Sequence, residues 1–275
     1  MNEPVDFNWR DGFSGPVLVP SMMLMVSVQN LAEAMESVSG GADIVDVKNL
    51  KEMVVGSNFP PVIREVRQAF PKHIHVSVTL GVAPNQAGTV SLAVYGAGAL
   101  GATSVKVGFV ESDYPTALRI LQESRRALEG FDTKLIAATF ADSHLYGGID
   151  PKLVVKLAKE SRSDGMLIDT LVKDGRNLFD FLDEPTLKGL VDEGKEFGMS
   201  TALSGALQIS NLNTLVRINP DIVGVRGAVC MHGDRESGAV AASAVSHLRE
   251  ELRHRLSGKI DVYAEARPAL TTMTP

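Results

Sequence analysis

Charged residues interrupt several short runs of β-branched residues that are typical of buried strands. In the segment ADIVDVKNLKE, Asp46 and Lys48 stand among Ile44, Val45 and Val47. Side chains two positions apart on a strand project from the same face, about 7 Å apart. A buried carboxylate can transfer protons, and a neutral lysine amine can attack a carbonyl carbon. This pair therefore indicates acid–base or covalent carbonyl chemistry.

The same residue types recur in two later segments. Lys106 lies in SVKVGF, and Asp169 and Lys173 lie in LIDTLVKDG. An ordinary lysine has a pKa of about 10.4, so few molecules carry a neutral amine at pH 7. Burial and neighbouring cations lower a lysine pKa, so clustered lysines favour the nucleophilic amine. Asp46 favours the ammonium form instead, and we expect it to orient Lys48 or to move protons.

An alternating framework is predicted to position these residues. Strand-like runs alternate with amphipathic segments, which is typical of parallel strands joined by right-handed crossovers. Eight such units in roughly 235 residues match the size of a (β/α)8 barrel. We predict a single α/β TIM barrel over residues 23–256, with an N-terminal extension over 1–22 and a C-terminal tail over 257–275. The predicted strands are residues 24–28, 43–48, 74–80, 104–109, 135–141, 165–171, 200–205 and 222–227.

An open doubly wound sheet is the alternative fold. Its nucleotide-binding fingerprint has one match here, GAGALG at residues 96–101. In that fold the motif follows a strand and begins a helix, whereas here it ends a helical pattern and precedes a strand. We therefore assign these small residues to helix packing.

Strand periodicity predicts that the charged residues meet inside the barrel. Val45 and Val47 would face the helices, so Asp46 and Lys48 face inward; the same parity turns Lys106 inward. Asp169 is also predicted to face inward, with Lys173 just beyond the strand end. The alternative is a structural network of ion pairs. Three lysines and two aspartates would leave such a network with unbalanced charge, and burying ions costs several kcal/mol each.

Two loops are candidates for binding phosphate. Barrels that bind phosphate often use the loops after strands seven and eight, where small residues allow close backbone approach. Here these strands end in LSGAL and VRGAV, which makes Ser204, Gly205, Arg226 and Gly227 the predicted phosphate-binding residues. Arg226 could instead face outward in a helix–sheet ion pair.

Other polar groups carry weaker signals. Asp142 and His144 follow strand five, but such loop residues are more often simply solvated, and His232 and Asp234 lack a metal-ligand pattern. The single cysteine, Cys230, is expected in the core. We expect no metal and no cofactor.

The composition and net charge argue against some classes of binding partner. The 275 residues are 44% hydrophobic and carry a net charge of −6, which argues against binding nucleic acid or anionic membranes. The N-terminus lacks a signal-peptide pattern and no long apolar run is present, so we expect a cytoplasmic protein. A homo-oligomer is expected by analogy with other barrels.

Several motifs together resemble those of one family. The segments SGGADIVDVKNLKEMVVGSNFP, GTVSLAVYGAGALGATSVKVG, LIDTLVKDGRNLFDF, ALSGAL and DIVGVRGAVCMHGDR are similar to the (5-formylfuran-3-yl)methyl phosphate synthase family. The resemblance covers roughly residues 23–256. Leu50, where the family commonly has proline, and the two terminal extensions are departures.

The resemblance implies a carbon–oxygen lyase of methanofuran-type cofactor biosynthesis. Members of that family condense two glyceraldehyde 3-phosphate molecules with loss of phosphate and water. Lys48 matches the Schiff-base lysine and Lys106 the proton acceptor, while Asp46, Asp169 and Lys173 match further polar site positions. The enamine formed at Lys48 is expected to add to the aldehyde of the second triose.

Two alternative functions stay open, a Schiff-base aldolase and a non-catalytic barrel, and the sequence argues against a third. Another Schiff-base aldolase would use the same lysines for a simpler reaction. An orotidine-phosphate-type decarboxylase uses D-x-K-x-x-D, but Lys51 stands where its last aspartate belongs. A non-catalytic phosphate-binding barrel would not need three lysines in one mouth.

Overall fold

The chain, described by a computed structural model over residues 22–52 and 56–265, forms a closed barrel of parallel strands in sequence order. β1 pairs with β8 to close the barrel. The predicted TIM barrel is therefore confirmed, while residues 1–21 of the predicted N-terminal extension lie outside the described part. The strands are β1 Met23–Val28, β2 Ile44–Val47, β3 His75–Ala83, β4 Ser104–Phe109, β5 Lys134–Phe140, β6 Gly165–Asp169, β7 Ser200–Leu203 and β8 Ile222–Val225.

A helix follows each strand and covers the outside of the barrel. Three of the helices begin at a side-chain N-cap, at Asn30, Asp113 and Asp183, which satisfies backbone N–H groups that a helix start leaves unpaired. The helices are α1 Leu31–Ser39, α2 Pro60–Ala69, α3 Ala87–Ala99, α4 Tyr114–Ala127, α5 Val154–Glu160, α6 Glu184–Glu196, α7 Leu212–Ile218 and α8 Ala242–Glu265. The last helix passes Leu256, where the barrel was predicted to end.

Apolar residues form two cores, one on each side of the sheet. Val45 and Val47 belong to the larger core between strands and helices, and Ile44 belongs to a smaller one inside the barrel. The predicted parity of β2 is therefore confirmed. The inner core fills the lower barrel with Met25, Ile44, Ile136, Ala138, Leu167, Ala202 and Ile222.

The GAGALG segment lies at the end of α3, as its helical pattern predicts. A Cβ added at Gly98 would lie 3.0 Å from the ring of Phe131, so glycine permits close packing there. The helix-packing role is confirmed at Gly98. Cys230 is buried in the outer core, as expected. No helix in the described ranges is long and apolar enough to cross a membrane.

Candidate active site

Two lysines meet at one aspartate in the C-terminal mouth of the barrel. Lys106 Nζ lies 2.6 Å from Asp46 Oδ1, and Lys48 Nζ lies 3.4 Å from Asp46 Oδ2. All three residues are buried, with exposed fractions of 0% for Asp46, 6% for Lys48 and 5% for Lys106. We call these three residues the Asp46 cluster. Its members come from β2, the residue after it, and β4, as strand parity predicts.

The carboxylate of Asp46 is held ionised by its neighbours. Burial alone would raise its pKa, but the charges of Lys106 and Lys48 outweigh burial and lower the pKa to about 2. Thr79 Oγ1 and Ser27 Oγ also donate to the carboxylate, at 2.9 and 3.2 Å. Asp46 is therefore a fixed anion near neutral pH, which suits it to orient the two amines.

Lys106 stands between this anion and the apolar interior. Burial lowers its pKa, the attraction of Asp46 opposes that change, and the positive charge of Lys48 lowers the pKa further. Its Nζ also lies 3.4 Å from the sulfur of Met25, at the top of the inner core. A lysine with a lowered pKa is more easily neutral, so Lys106 can accept a proton.

The backbone of Lys48 is anchored on both sides. Its N–H donates to the carbonyl of Val28 at 3.0 Å, which continues the pairing of β1 and β2. Its carbonyl accepts a bond of 3.1 Å from Asn58 Nδ2, which also donates to the carbonyl of Gln29 at 2.8 Å. These bonds hold the residue after β2 so that its side chain reaches into the mouth.

A second carboxylate–lysine pair faces the same opening. Lys173 Nζ lies 3.1 Å from Asp169 Oδ1 and donates to the carbonyl and the hydroxyl of Thr170. Burial would raise the pKa of Asp169, but Lys173 and Lys48 lower it overall; burial lowers the pKa of Lys173. Asp46, Lys48, Lys106 and Asp169 line one cavity, so the predicted convergence of strands two, four and six is present.

Asp142 is buried, and the expectation that it is solvated is wrong. Its carboxylate accepts bonds from the N–H groups of Leu171 and Val172, at 2.9 and 2.7 Å. It thereby fixes the loop after β6 that carries Lys173. The neighbouring His144 is exposed, as expected, and packs against Phe181.

The loop after β7 reaches the cavity through a serine. Ser204 lines the cavity and donates to the carbonyl of Gly224. Gly205 takes a φ of +117°, and a Cβ there would lie 3.0 Å from Thr170 Cγ2, so this position needs glycine. Both residues stand where a phosphate group could approach the backbone, and their phosphate role stays a prediction.

Arg226 forms an ion pair with a helix residue, which is the second of the two roles that the sequence left open for it. Its guanidinium bonds both carboxylate oxygens of Glu33 in α1, at 2.8 and 3.1 Å. It also donates to the carbonyls of Ser27, Arg235 and Gly238. Since these five bonds engage every N–H of the guanidinium, the structure does not support its direct contact with phosphate. Arg226 instead fixes the loop after β8.

Arg235 is a cation of the mouth that the sequence did not single out. Its Cβ lies 3.7 Å from the position that a Cβ on Gly227 would take, so it borders the predicted phosphate loop. Burial lowers its pKa, the charge of Asp169 opposes that change, and Arg235 in turn lowers the pKa of Lys173. In the sequence, Arg235 was only one charged residue after a strand end that contains glycine, so nothing there marked it as part of the site.

Metal ligands do not gather in the described part of the chain. Residues 22–52 and 56–265 contain no group of three or more His, Cys, Asp or Glu side chains that could hold an ion. His232 and Asp234 are exposed on the loop after β8. The expected independence of metals and cofactors stays a prediction.

Sequence comparison finds close relatives along most of the barrel. Residues 24–249 match the profile of the 4-HFC-P synthase family. A (5-formylfuran-3-yl)methyl phosphate synthase from Methanobrevibacter smithii is 43% identical over 232 residues, which cover 83% of this chain and 98% of the relative. The enzyme of that name from Methanocaldococcus jannaschii is 40% identical over 232 residues, covering 83% and 99%.

Structural comparison finds barrels with little sequence identity. The 3-hexulose-6-phosphate synthase of Salmonella typhimurium has a TM-score of 0.60 and 19% identity, covering 85% of this chain and 100% of that one. Phosphoribosyl anthranilate isomerase from Thermus thermophilus has a TM-score of 0.57 and 14% identity, covering 85% and 99%. At these identities the similarity establishes the fold alone.

Proposed function

The chain belongs to the 4-HFC-P synthase family and is an enzyme, and from this we propose that it makes (5-formylfuran-3-yl)methyl phosphate from two molecules of glyceraldehyde 3-phosphate. The product would serve a methanofuran-type one-carbon cofactor. The observation that carries the proposal is the Asp46 cluster, in which two buried amines share one carboxylate. The second pair, Lys173 with Asp169, supports it.

Lys48 is the proposed nucleophile. Its amine attacks the aldehyde carbon of one triose, water leaves, and an imine forms. The imine acidifies the C–H at the next carbon, and Lys106, whose pKa is lowered by burial, takes that proton. The electron pair released can expel the phosphate from C3 of the bound triose.

The product named for the relatives, taken with two trioses as substrates, supports a proposal for which carbons join. Its formyl group and its phosphate-bearing CH2 group are each a single-carbon substituent on the furan ring. We propose that elimination leaves C3 of the imine-bound triose electrophilic. C2 of the second triose gives up its proton to a base of the mouth and attacks that C3, so the new bond joins C3 of the triose that loses phosphate to C2 of the triose that keeps it. This differs from the expected attack on the second aldehyde, which would give the same ring skeleton but would make the formyl carbon from the C3 that loses its phosphate oxygen.

Ring closure and dehydration complete the balance. The oxygen on C2 of the imine-bound triose closes onto C1 of the second triose, and hydrolysis of the imine frees Lys48. Overall, two trioses give one furan phosphate, one inorganic phosphate and two waters, without an oxidant or reductant. Asp169 and Lys173 are placed to move protons during the dehydrations.

The loops after β7 and β8 are the proposed phosphate sites. Ser204 lies at the cavity and Gly205 and Gly227 offer small residues at the strand ends. Arg235 supplies the positive charge that was first assigned to Arg226, because Arg226 is used by Glu33. A guanidinium beside a glycine-rich loop binds phosphate well. The enzyme would act in the cytoplasm, where phosphotrioses are available.

Product analysis tests the proposal. Incubation with glyceraldehyde 3-phosphate is expected to release one inorganic phosphate for each furan aldehyde formed, the latter followed by its ultraviolet absorption. An aldol product that keeps both phosphates would support a simple aldolase instead. Binding of the triose without any turnover would support a non-catalytic barrel.

A further inference from the structure

Phe140 is a buried aromatic residue that belongs to neither apolar core. It is the last residue of β5 and is 5% exposed, yet both the inner and the outer core leave it out. It lines the cavity of the barrel mouth together with the Asp46 cluster and Asp169. Among the described residues that line this cavity, it is the only aromatic one. Core packing therefore does not account for a large apolar ring among these charges.

The ring of Phe140 lies against a glycine of the neighbouring strand. On one side Phe140 pairs with Asp169 of β6, but its ring extends to the other side, towards β4. A Cβ on Gly108 would lie 3.0 Å from Phe140 Cζ and 3.5 Å from the carbonyl oxygen of Gly81. Gly81 and Gly108 also line the cavity. The three residues therefore adjoin on β3, β4 and β5, and we call them the uncharged wall.

The backbone keeps this wall free of further side chains. The register between β3 and β4 shifts between Thr79 and Val82, and Gly81 takes a φ of +73° there. Residues with a Cβ rarely adopt that conformation, and such strand irregularities often lie next to active sites. At Gly108 even an alanine would press on the ring of Phe140. The wall therefore presents two glycines and one aromatic ring to the cavity.

The uncharged wall lies across the barrel from the proposed phosphate sites. The strands follow one another in sequence order, so β3 and β4 lie opposite β7 and β8. The proposed phosphate loops follow β7 and β8, and Lys48 directly follows β2. A substrate held by its phosphate and by an imine at Lys48 therefore has its remaining side towards the uncharged wall.

We infer that the uncharged wall binds the furan ring of the product and of its late precursors, and that Phe140 is the residue that recognises the flat ring. This inference rests on the proposed function. A phosphotriose carries oxygen on every carbon and gains little from an apolar ring. Dehydration converts the bound carbons into a planar aromatic ring, and aromatic pairs are favourable beyond the burial of apolar area. The wall therefore favours the product side of the reaction over the substrate.

Binding of two phosphate esters tests the inference without turnover. The probes are furan-3-ylmethyl phosphate and its saturated counterpart, tetrahydrofuran-3-ylmethyl phosphate. Neither probe carries an aldehyde, so neither forms an imine. Calorimetry with the full chain is expected to show that the wild type binds the furan probe roughly 3- to 10-fold more tightly, the usual worth of an aromatic pair. Phe140→Leu should lose this preference, and Phe140→Tyr should keep it.

Phe109→Leu is the matched control. Phe109 is the last residue of β4 and belongs to the outer core, so its replacement should leave the preference for the furan probe unchanged. The KM for glyceraldehyde 3-phosphate should change little in Phe140→Leu, because the inferred contact is made to the ring and not to the triose.

The outcomes separate this inference from the proposed function. Equal binding of the two probes by the wild type would overturn the inference alone, and so would an unchanged preference in Phe140→Leu. The comparison on the wild type needs no variant, so it decides even if Phe140→Leu does not fold. Failure of the wild type to form a furan aldehyde from glyceraldehyde 3-phosphate would overturn the proposed function, and the inference with it.

Discussion

Asp46 determines what each of its two lysines can do. With a pKa of about 2 it stays ionised across the neutral range, so it is a poor proton acceptor and a good orienting group. Between the two roles open to it in the sequence, the geometry favours orientation. Lys106 has the shorter contact with this carboxylate and a pKa lowered by burial. The proposed division of labour, with Lys48 as nucleophile and Lys106 as proton acceptor, rests on the lowered pKa of Lys106.

Replacing Lys106 tests this division. Lys106→Met keeps the length of the side chain and removes the amine, so turnover should fall by roughly 10²- to 10⁴-fold, the usual worth of a general base. Imine formation at Lys48 should survive, and borohydride trapping with mass spectrometry measures it. Lys188→Met, at an exposed position on α6, is the control and should keep full activity. Unchanged turnover in Lys106→Met would exclude Lys106 as the base.

Arg235 is predicted to act on substrate binding. Arg235→Gln removes a charge beside Gly227, and loss of one charge-assisted hydrogen bond of about 1.5–3 kcal/mol should raise KM roughly 10- to 100-fold. The kcat should change much less. Steady-state kinetics with glyceraldehyde 3-phosphate measure both constants. Arg176→Gln, which removes an exposed arginine from the loop after β6, should leave KM unchanged; an equal rise there would contradict a specific role.

A buried ion pair joins the loop after β8 to α1. Arg226 and Glu33 are almost fully buried, and the guanidinium binds the carboxylate in a bidentate arrangement. The same guanidinium holds the carbonyls of Arg235 and Gly238. The orientation of the proposed phosphate ligand therefore depends on a contact with a helix far away in sequence.

Breaking this ion pair should destabilise the barrel. Arg226→Met leaves Glu33 buried without its partner, which costs about 3–5 kcal/mol, and denaturant unfolding measures that loss. Arg217→Met removes an exposed pair with Glu184 and should cost about 1 kcal/mol or less. The double variant Glu33→Gln with Arg226→Met should recover part of the loss. Equal costs for the two single variants would contradict a structural role for Arg226.

Strands were predictable from the sequence, and the loops between them were not. β4 has its predicted bounds, Ser104–Phe109, because β-branched alternation and flanking turns determine a strand locally. The same period of two turned Asp46 and Lys106 inward. Asp142 was misjudged because its partners, the N–H groups of residues 171 and 172, belong to a distant loop. Arg226 stayed ambiguous for the same reason, since its partner lies in α1.

The barrel holds its charged clusters and its apolar packing in different parts of its interior. The charged clusters occupy the C-terminal mouth, while Met25, Ile44 and Ile136 help to fill the interior below. His75 begins β3 at the opposite end, where its Nε2 lies 2.8 Å from Ser104 Oγ. This contact gives His75 a structural role away from the charged mouth.

His75 should make folding stability depend on pH. Burial, followed by the charge of Lys106, lowers its pKa from 6.5 to about 4. Between these values the unfolded chain binds a proton at this residue that the folded chain does not, so the contribution of His75 to stability is fully present above pH 6.5 and is lost as the pH drops towards 4. Chemical unfolding at several pH values should show a shallower fall in His75→Gln. An unchanged slope in that variant would assign the effect to other groups.

The proposed chemistry requires a covalent imine at Lys48 inside the shared mouth. The most direct measurement is borohydride reduction during turnover of glyceraldehyde 3-phosphate, followed by peptide mass spectrometry. A reduced triose adduct is expected on Lys48. It should be missing in Lys48→Arg, because a guanidinium keeps the positive charge and is not a neutral nucleophile near neutral pH. An adduct on Lys106 or Lys173 alone, or full turnover by Lys48→Arg, would contradict an imine at Lys48 as the reactive intermediate.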